Sequence, residues 1–407
     1  MSVSSRSAPA LPVAPDTAAA LREHIHDARD AYLEFLVRLV RAESPSTDPD
    51  AQAAVQTMLA EALDDLGFAP TQLPGTTTGG ALYARPSGAT AHAPRQLLLG
   101  HGDTVWGHGT LDQMPVEVDD DRVRGPGVFD MKGGLTSMIF ALRALQALDL
   151  RPSATPLVLV TSDEEIGSPE SKRHIDRLAR VSERVFVLEP ALGPEGKLKT
   201  ARKGTGELTI IARASGTPPS GNVVLELSRL VQRLHALNDL ERGVTVNVGT
   251  IDGRQLEGET ASEGRLAVDV RVPTQADADR LGRVIHDFES ETPGVSLTIQ
   301  GGLDRPPMER TPGTARLWTC ARRLGQQLGL DLEEGRSGGA SDGNFTSQYA
   351  PTLDGLGAVG DGAHADHEYL DIEHTLDRCA LLALLLLVPP QGEPSAEEGA
   401  QYSSRSS

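Results

Sequence analysis

Residues 97–103 read LLLGHGD and residues 157–165 read LVLVTSDEE, two short apolar runs that each end on titratable side chains. Such runs are too short for helices and read as buried parallel strands. In an open α/β sheet, ligands bind in the space beyond the carboxyl ends of the strands. The pattern recurs in VFVLEP at 185–190, which delivers Glu189. Two loops add candidates: GPGVFDMKGG at 125–134 carries Asp130, and GDGAHADHEY at 360–369 carries His364. Partly buried charges are costly when unpaired. A cation is the simplest partner for a crevice lined by His101, Asp103, Asp130, Glu164, Glu165, Glu189 and His364.

Ligand type narrows the cation. Two imidazoles and several carboxylates with no nearby thiol suit zinc and, less well, manganese or cobalt. Magnesium and calcium prefer all-oxygen shells. One catalytic metal needs only three protein ligands plus water. With one glutamate reserved as a base, more ligand candidates remain than one metal needs, which fits two metals bridged by a carboxylate. A lone histidine is more often a surface or core residue, and His24, His26, His92, His108, His174, His235, His286 and His374 are read that way. His367, three residues beyond His364, competes with it for the same role.

At these residues the chain resembles the dinuclear zinc exopeptidase and deacylase family, which includes glutamate carboxypeptidase, acetylornithine deacetylase, succinyl-diaminopimelate desuccinylase and aminoacylase. The likeness extends over most of residues 20–390 and is greatest to the glutamate carboxypeptidase branch. It implies that His101 and Glu189 serve one zinc, that Glu165 and His364 serve a second, and that Asp130 bridges both. It further implies Glu164 as general base, Asp103 as the residue orienting His101, a cis Asp130–Met131 peptide, and the first His of H-x-D-x-E-Y as the ligand. The implied chemistry is hydrolysis of an amide by metal-activated water. A peptide or N-acyl amino acid would lose a C-terminal, glutamate-like residue. The alternatives are a deacetylase or desuccinylase of amino-acid biosynthesis, or an impaired, repurposed metal-binding homologue.

Composition agrees with an enzyme. At 407 residues the chain exceeds one ordinary core. Its net charge of −19 argues against nucleic acid or an anionic membrane as partner. Two cysteines, Cys320 and Cys379, form neither a metal motif nor a disulfide framework, which suits a reducing, cytoplasmic setting. The proline-broken N-terminal segment is a poor signal peptide, and no apolar stretch is long enough to span a membrane.

The fold class expected is α/β, a zinc-exopeptidase-like catalytic domain with an inserted ferredoxin-like lid. Residues 1–16, rich in Ser, Ala and Pro, and 389–407, polar and of low complexity, are expected to be disordered tails; 17–203 and 311–388 make the catalytic domain; 204–310 make the insertion. Leu21, Ile25, Ala28, Tyr32, Phe35 and Leu39 recur at helical spacing up to Ser44-Pro45. A second helix runs from Pro49 to just before Gly67, and a third follows Gly133-Gly134. From 206 the order becomes strand, helix, strand, strand, helix, strand, the βαββαβ unit. The resemblance implies that this unit pairs with its copy in a homodimer and covers the active site.

The lid departs from the family pattern. Where relatives carry an Ala-Ser-His-Ala-Gly type motif, this chain reads Ala214-Ser215-Gly216-Thr217-Pro218-Pro219. Where they carry Asn-x-(Val/Ile)-Pro, it reads Gly258-Glu259-Thr260-Ala261. For the substrate carboxylate, candidate cations are Arg271, Arg305, Lys197 and Arg202. Asp342 and Asn344, in GGASDGNF, resemble a substrate loop.

Overall fold

The computed structural model describes residues 13–90, 93–215, 221–253 and 262–390. Its central sheet has six strands in the order Phe68–Leu73, Ala81–Pro86, Thr155–Thr161, Arg95–His101, Arg184–Val187 and Thr352–Leu353. The first two are antiparallel to their neighbours, and the last four run parallel. The runs read as buried strands are buried on both faces. Leu98, Val158, Val160 and Phe186 point into one apolar layer, while Leu97, Leu99, Leu157, Leu159, Val185 and Val187 point into the other. Helix Gly133–Ala147 joins Arg95–His101 to its neighbour on one side. Helix Lys172–Ala179 then carries the chain across to the other side. This reversal sits beside His101, where an open parallel sheet leaves its crevice.

The first apolar helical run is two helices, Pro15–Asp27 and Arg29–Arg41, because Ala28 (φ −85, ψ 10) leaves the helical basin between them. Its 3.6-residue period continues through the bend, so periodicity alone reads one helix. The first helix starts at Pro15, inside the stretch expected to be a tail. The second expected helix is Pro49–Asp65, with Asp48 accepting from Asp50 N and Ala51 N and with Gly67 at φ +77. The third begins at Gly133 itself. A Cβ on Gly134 would collide with the Leu188 carbonyl, so glycine lets this helix press against the segment that delivers Glu189.

The inserted segment forms its own antiparallel sheet, ordered Thr245–Asp252, Glu263–Val272, Gly204–Ala214, Val295–Arg305. With helices Val223–His235 and Gln275–His286 it completes the expected βαββαβ order. Strand Glu263–Val272 alternates buried and less buried residues, the mark of a sheet packed on one face. Leu227, Leu230, Leu234, Leu281 and Ile285 of the two helices cover that face. The altered segments 216–219 and 258–261 lie outside the described residues. Among the described residues, no helix is long and apolar enough to cross a membrane.

Candidate metal centre

Three parallel strands end on one edge and supply the crevice. His101 closes strand Arg95–His101. Glu164 and Glu165 open a short helical turn three residues past Thr161, and Glu189 lies two residues past Val187. Asp130 arrives from the turn preceding helix Gly133–Ala147, and the Asp130–Met131 peptide is cis. His364 sits between strands Gly360–Asp361 and Tyr369–Asp371 at φ +62, a conformation disfavoured for a residue with a Cβ.

The side chains meet. His101 Nε2 lies 3.2 Å from Asp130 Oδ1 and 3.5 Å from Glu189 Oε1. His364 Nε2 lies 3.4 Å from Asp130 Oδ2 and 3.1 Å from Glu165 Oε2. Asp130 thus faces one imidazole with each oxygen. Two sets have ligand atoms close enough to share an ion: His101, Asp130 and Glu165, and His101, Glu164 and Glu189. Glu165 Oε1 is buried and has no hydrogen-bond partner. Leaving a buried carboxylate oxygen unpaired is costly. An orphaned acceptor among imidazoles and carboxylates is what a site for a borderline-soft cation requires, so the donor set fits zinc. His367 is exposed beside Asp366 and does not reach this group.

The charges are strongly perturbed. Burial works against the charge on His101, but Asp103, Asp130 and Glu189 outweigh it and hold its pKa well above the usual value. Hydrogen bonds to Asp130 and Glu165 push His364 up to about 10. Burial opposes ionisation of Asp130, yet the two imidazoles carry its pKa below the usual range. Burial raises Glu164 well above a normal glutamate, against the pull of Arg305, and raises Glu165 against that of His364. Glu189 ends below its usual value because Arg202, His101 and Lys199 overcome burial and Asp130.

Around this core the expected partners take different roles. His101 Nδ1 lies 3.0 Å from the Asp103 main-chain carbonyl and 3.5 Å from the Asp103 carboxylate. The carboxylate accepts from Ser46 Oγ at 2.7 Å and from Glu164 N and Glu165 N, so it also orients the Glu164–Glu165 turn. Arg305 reaches Glu164 Oε1 at 3.0 Å and Asp342 Oδ1 at 3.2 Å. Asp342 also accepts from Thr161 Oγ1 and Ser168 Oγ. Asn344, fully buried, donates to the carbonyls of Lys203 and Pro306 and accepts from Ser341 N. Its amide therefore holds both strands of chain that join the inserted unit to the rest. Arg271 is half exposed, bound to Asp269 and the Gly338 carbonyl. Lys197 pairs with Glu333. Arg202 ties Glu189 Oε2 to Asp354 at 3.0 and 2.7 Å.

Sequence reasoning missed Glu368. Fully buried, it accepts from Trp106 Nε1 and from the amides of Gly127, Phe129 and Asp130. Its presence in the same short motif as His364 is the signal that could have found it.

Comparison with known proteins places the chain in a family. The model of peptidase family M20/M25/M40 matches residues 97–388. Carboxypeptidase G2 of Pseudomonas sp. (strain RS-16) is 28% identical over 375 residues, covering 89% of this chain and 90% of that protein. Succinyl-diaminopimelate desuccinylase of Rhodospirillum centenum is 28% identical over 374 residues, covering 84% and 93%. Among solved structures, aminopeptidase PepT from Bacillus cereus superposes with a TM-score of 0.72 at 18% identity, covering 90% of this chain and 98% of its own.

Proposed function

Because the chain belongs to peptidase family M20/M25/M40, a family of metal-dependent hydrolases, we propose that it is a two-zinc amidohydrolase. It releases a C-terminal, glutamate-like amino acid from a peptide or N-acyl amino acid. The observation that carries this reading is Asp130, with one imidazole on each carboxylate oxygen. In this reading His101 and Glu189 would hold one zinc, Glu165 and His364 would hold the other, and Asp130 would serve both; cobalt or manganese would be substitutes. A bound zinc pair supplies Lewis acidity and lowers the pKa of water toward ~7.

The residues of the chain do the rest. Glu164, raised by burial, accepts a proton from the attacking water as the new C–O bond forms. It returns that proton to the leaving nitrogen as the C–N bond breaks. Asp103 holds the turn that aims Glu164. Arg305 is the candidate cation for the substrate carboxylate because it is buried beside Glu164. It would exchange its contact with Asp342 or Glu164 for the substrate. Arg271 and Asn344 are less suited, the first lying on Asp269 and the second having its amide committed to backbone.

We divide the chain into a catalytic part, 17–203 and 311–388, and an inserted lid, 204–310. A homodimer through the lid is supported by its two edge strands, Thr245–Asp252 and Val295–Arg305, which would otherwise stay unpaired. A cytoplasmic setting is supported by two free, buried cysteines.

A desuccinylase is the second reading, favoured by the equal 28% identity to that relative. The test is a substrate panel assayed on metal-free and zinc-reloaded protein. Zinc-dependent release of C-terminal glutamate supports the first reading. Preference for a succinyl or acetyl group supports the second. Metal binding without turnover would make the chain an impaired homologue and overturn both.

A further inference from the structure

We propose that Glu368 is a positioning residue that clamps the loop carrying Asp130 to the loop carrying His364, and so sets the width of the metal centre. The inference rests on the two-metal reading of the site. Its hydrogen bonds come from three main-chain amides and the Trp106 indole, so its role is exerted through the chain positions it fixes. Its Oε2 accepts from Trp106 Nε1 at 2.9 Å and from Gly127 N at 2.8 Å. Its Oε1 accepts from Phe129 N at 2.9 Å and from Asp130 N at 3.0 Å. Two donors on each oxygen fill the accepting capacity of an ionised carboxylate and leave no place for a neutral acid or an amide.

The donors and the acceptor come from distant parts of the chain. All four donors lie between Trp106 and Asp130, while Glu368 follows His364 by four residues. The Glu368 carbonyl adds a backbone bond from Gly125 N at 3.3 Å. From there the chain enters strand Tyr369–Asp371, which pairs with Arg122–Arg124 and anchors the His364 side. One buried carboxylate therefore fixes the main chain of Asp130 relative to that of His364, whose side chains face each other at 3.4 Å. Partners of this kind, behind the ligands, typically change metal affinity by about 10–100-fold when removed.

The test uses full-length protein, stripped of metal and titrated with zinc alone, followed by calorimetry and metal analysis after dialysis. Wild type, Glu368→Gln and Trp106→Phe are compared. The glutamine keeps the shape of the side chain but turns an NH2 toward two N–H donors. The Trp106 change removes one donor and leaves Glu368 in place. We expect two zinc ions on wild type. On folded Glu368→Gln, one of the two should bind about 10–100-fold more weakly, with a smaller loss of the same ion in Trp106→Phe. A residue with a merely structural role would lower Tm and leave zinc affinity unchanged, so wild-type affinity in folded Glu368→Gln overturns the proposal. If Glu368→Gln does not fold, Trp106→Phe decides, and unchanged affinity there overturns it. Wild type binding fewer than two ions defeats the reading of the site instead, and the clamp falls with it.

Discussion

Arg305 Nη2 lies 3.0 Å from Glu164 Oε1 and also donates to the Glu164 main-chain carbonyl at 2.8 Å, joining positions 141 residues apart in the chain. Arg305 closes the last strand of the inserted unit, and Glu164 follows a strand of the central sheet. The proposed base and the inserted sheet are thus mechanically and electrostatically coupled.

Replacing Arg305 with Met should act on both. Leaving Glu164 and Asp342 buried without their cation should destabilise the fold by about 3–5 kcal/mol. Arg305 also pulls the Glu164 pKa down against burial. Its loss therefore raises that pKa, and the acidic limb of kcat/KM should move to higher pH because the base must be ionised. Urea melts and a pH–rate profile check the two effects; an unmoved acidic limb would contradict the assignment of Glu164.

Glu164→Gln and Glu165→Gln should separate catalysis from ligation. The first should retain bound metal and lose about 10²–10⁴ in kcat. The second, carrying the unpartnered Oε1, should bind metal more weakly as well. Metal content and kcat measured on both decide it, and identical behaviour would mean that base and ligand are wrongly assigned.

Asn344→Ala should behave as a structural change. It strips hydrogen bonds from the Lys203 and Pro306 carbonyls and from Ser341 N, at a cost of about 1–3 kcal/mol. KM for a C-terminal-glutamate substrate should stay near that of wild type. A large rise in KM with unchanged stability would return Asn344 to the substrate loop.

The strand ends were legible because a buried parallel strand is an apolar run and its end is where polarity resumes, as at His101 and Glu164. The βαββαβ unit was legible because its helices and strands differ in period. Arg305, Asp342 and Asn344 were visible as candidates, but their partners were not. Asn344 meets Lys203 and Arg305 meets Glu164 across 141 positions each, and no local pattern encodes such a pairing. The bend at Ala28 was hidden for the opposite reason, since the apolar period runs through it unchanged. Glu368 was harder to see because three of its four donors are backbone amides, which leave no complementary charge in the sequence, and its nearness to His364 in one short motif was the only local signal.

The pH dependence of metal binding follows from His364. Asp130 and Glu165 push its folded pKa up to about 10, against ~6.5 for an unperturbed imidazole. A raised folded pKa stabilises the metal-free protein fully below ~6.5, and that stabilisation is lost as pH rises through about 10. Because the side chain is half exposed, solvent screening weakens the effect. Metal binding needs the proton gone. The Tm of metal-free protein should therefore fall between pH 6 and pH 10, and the rise in Tm on adding zinc should grow over the same range. Melting curves with and without zinc test this, and a zinc-induced rise independent of pH would contradict it.

The most direct test is a zinc titration of metal-free protein while release of glutamate from an N-acyl glutamate is followed. Turnover should be negligible without metal and reach full activity only as the second equivalent binds. Full activity at one equivalent, or turnover that needs no metal, would contradict the two-metal centre built around Asp130.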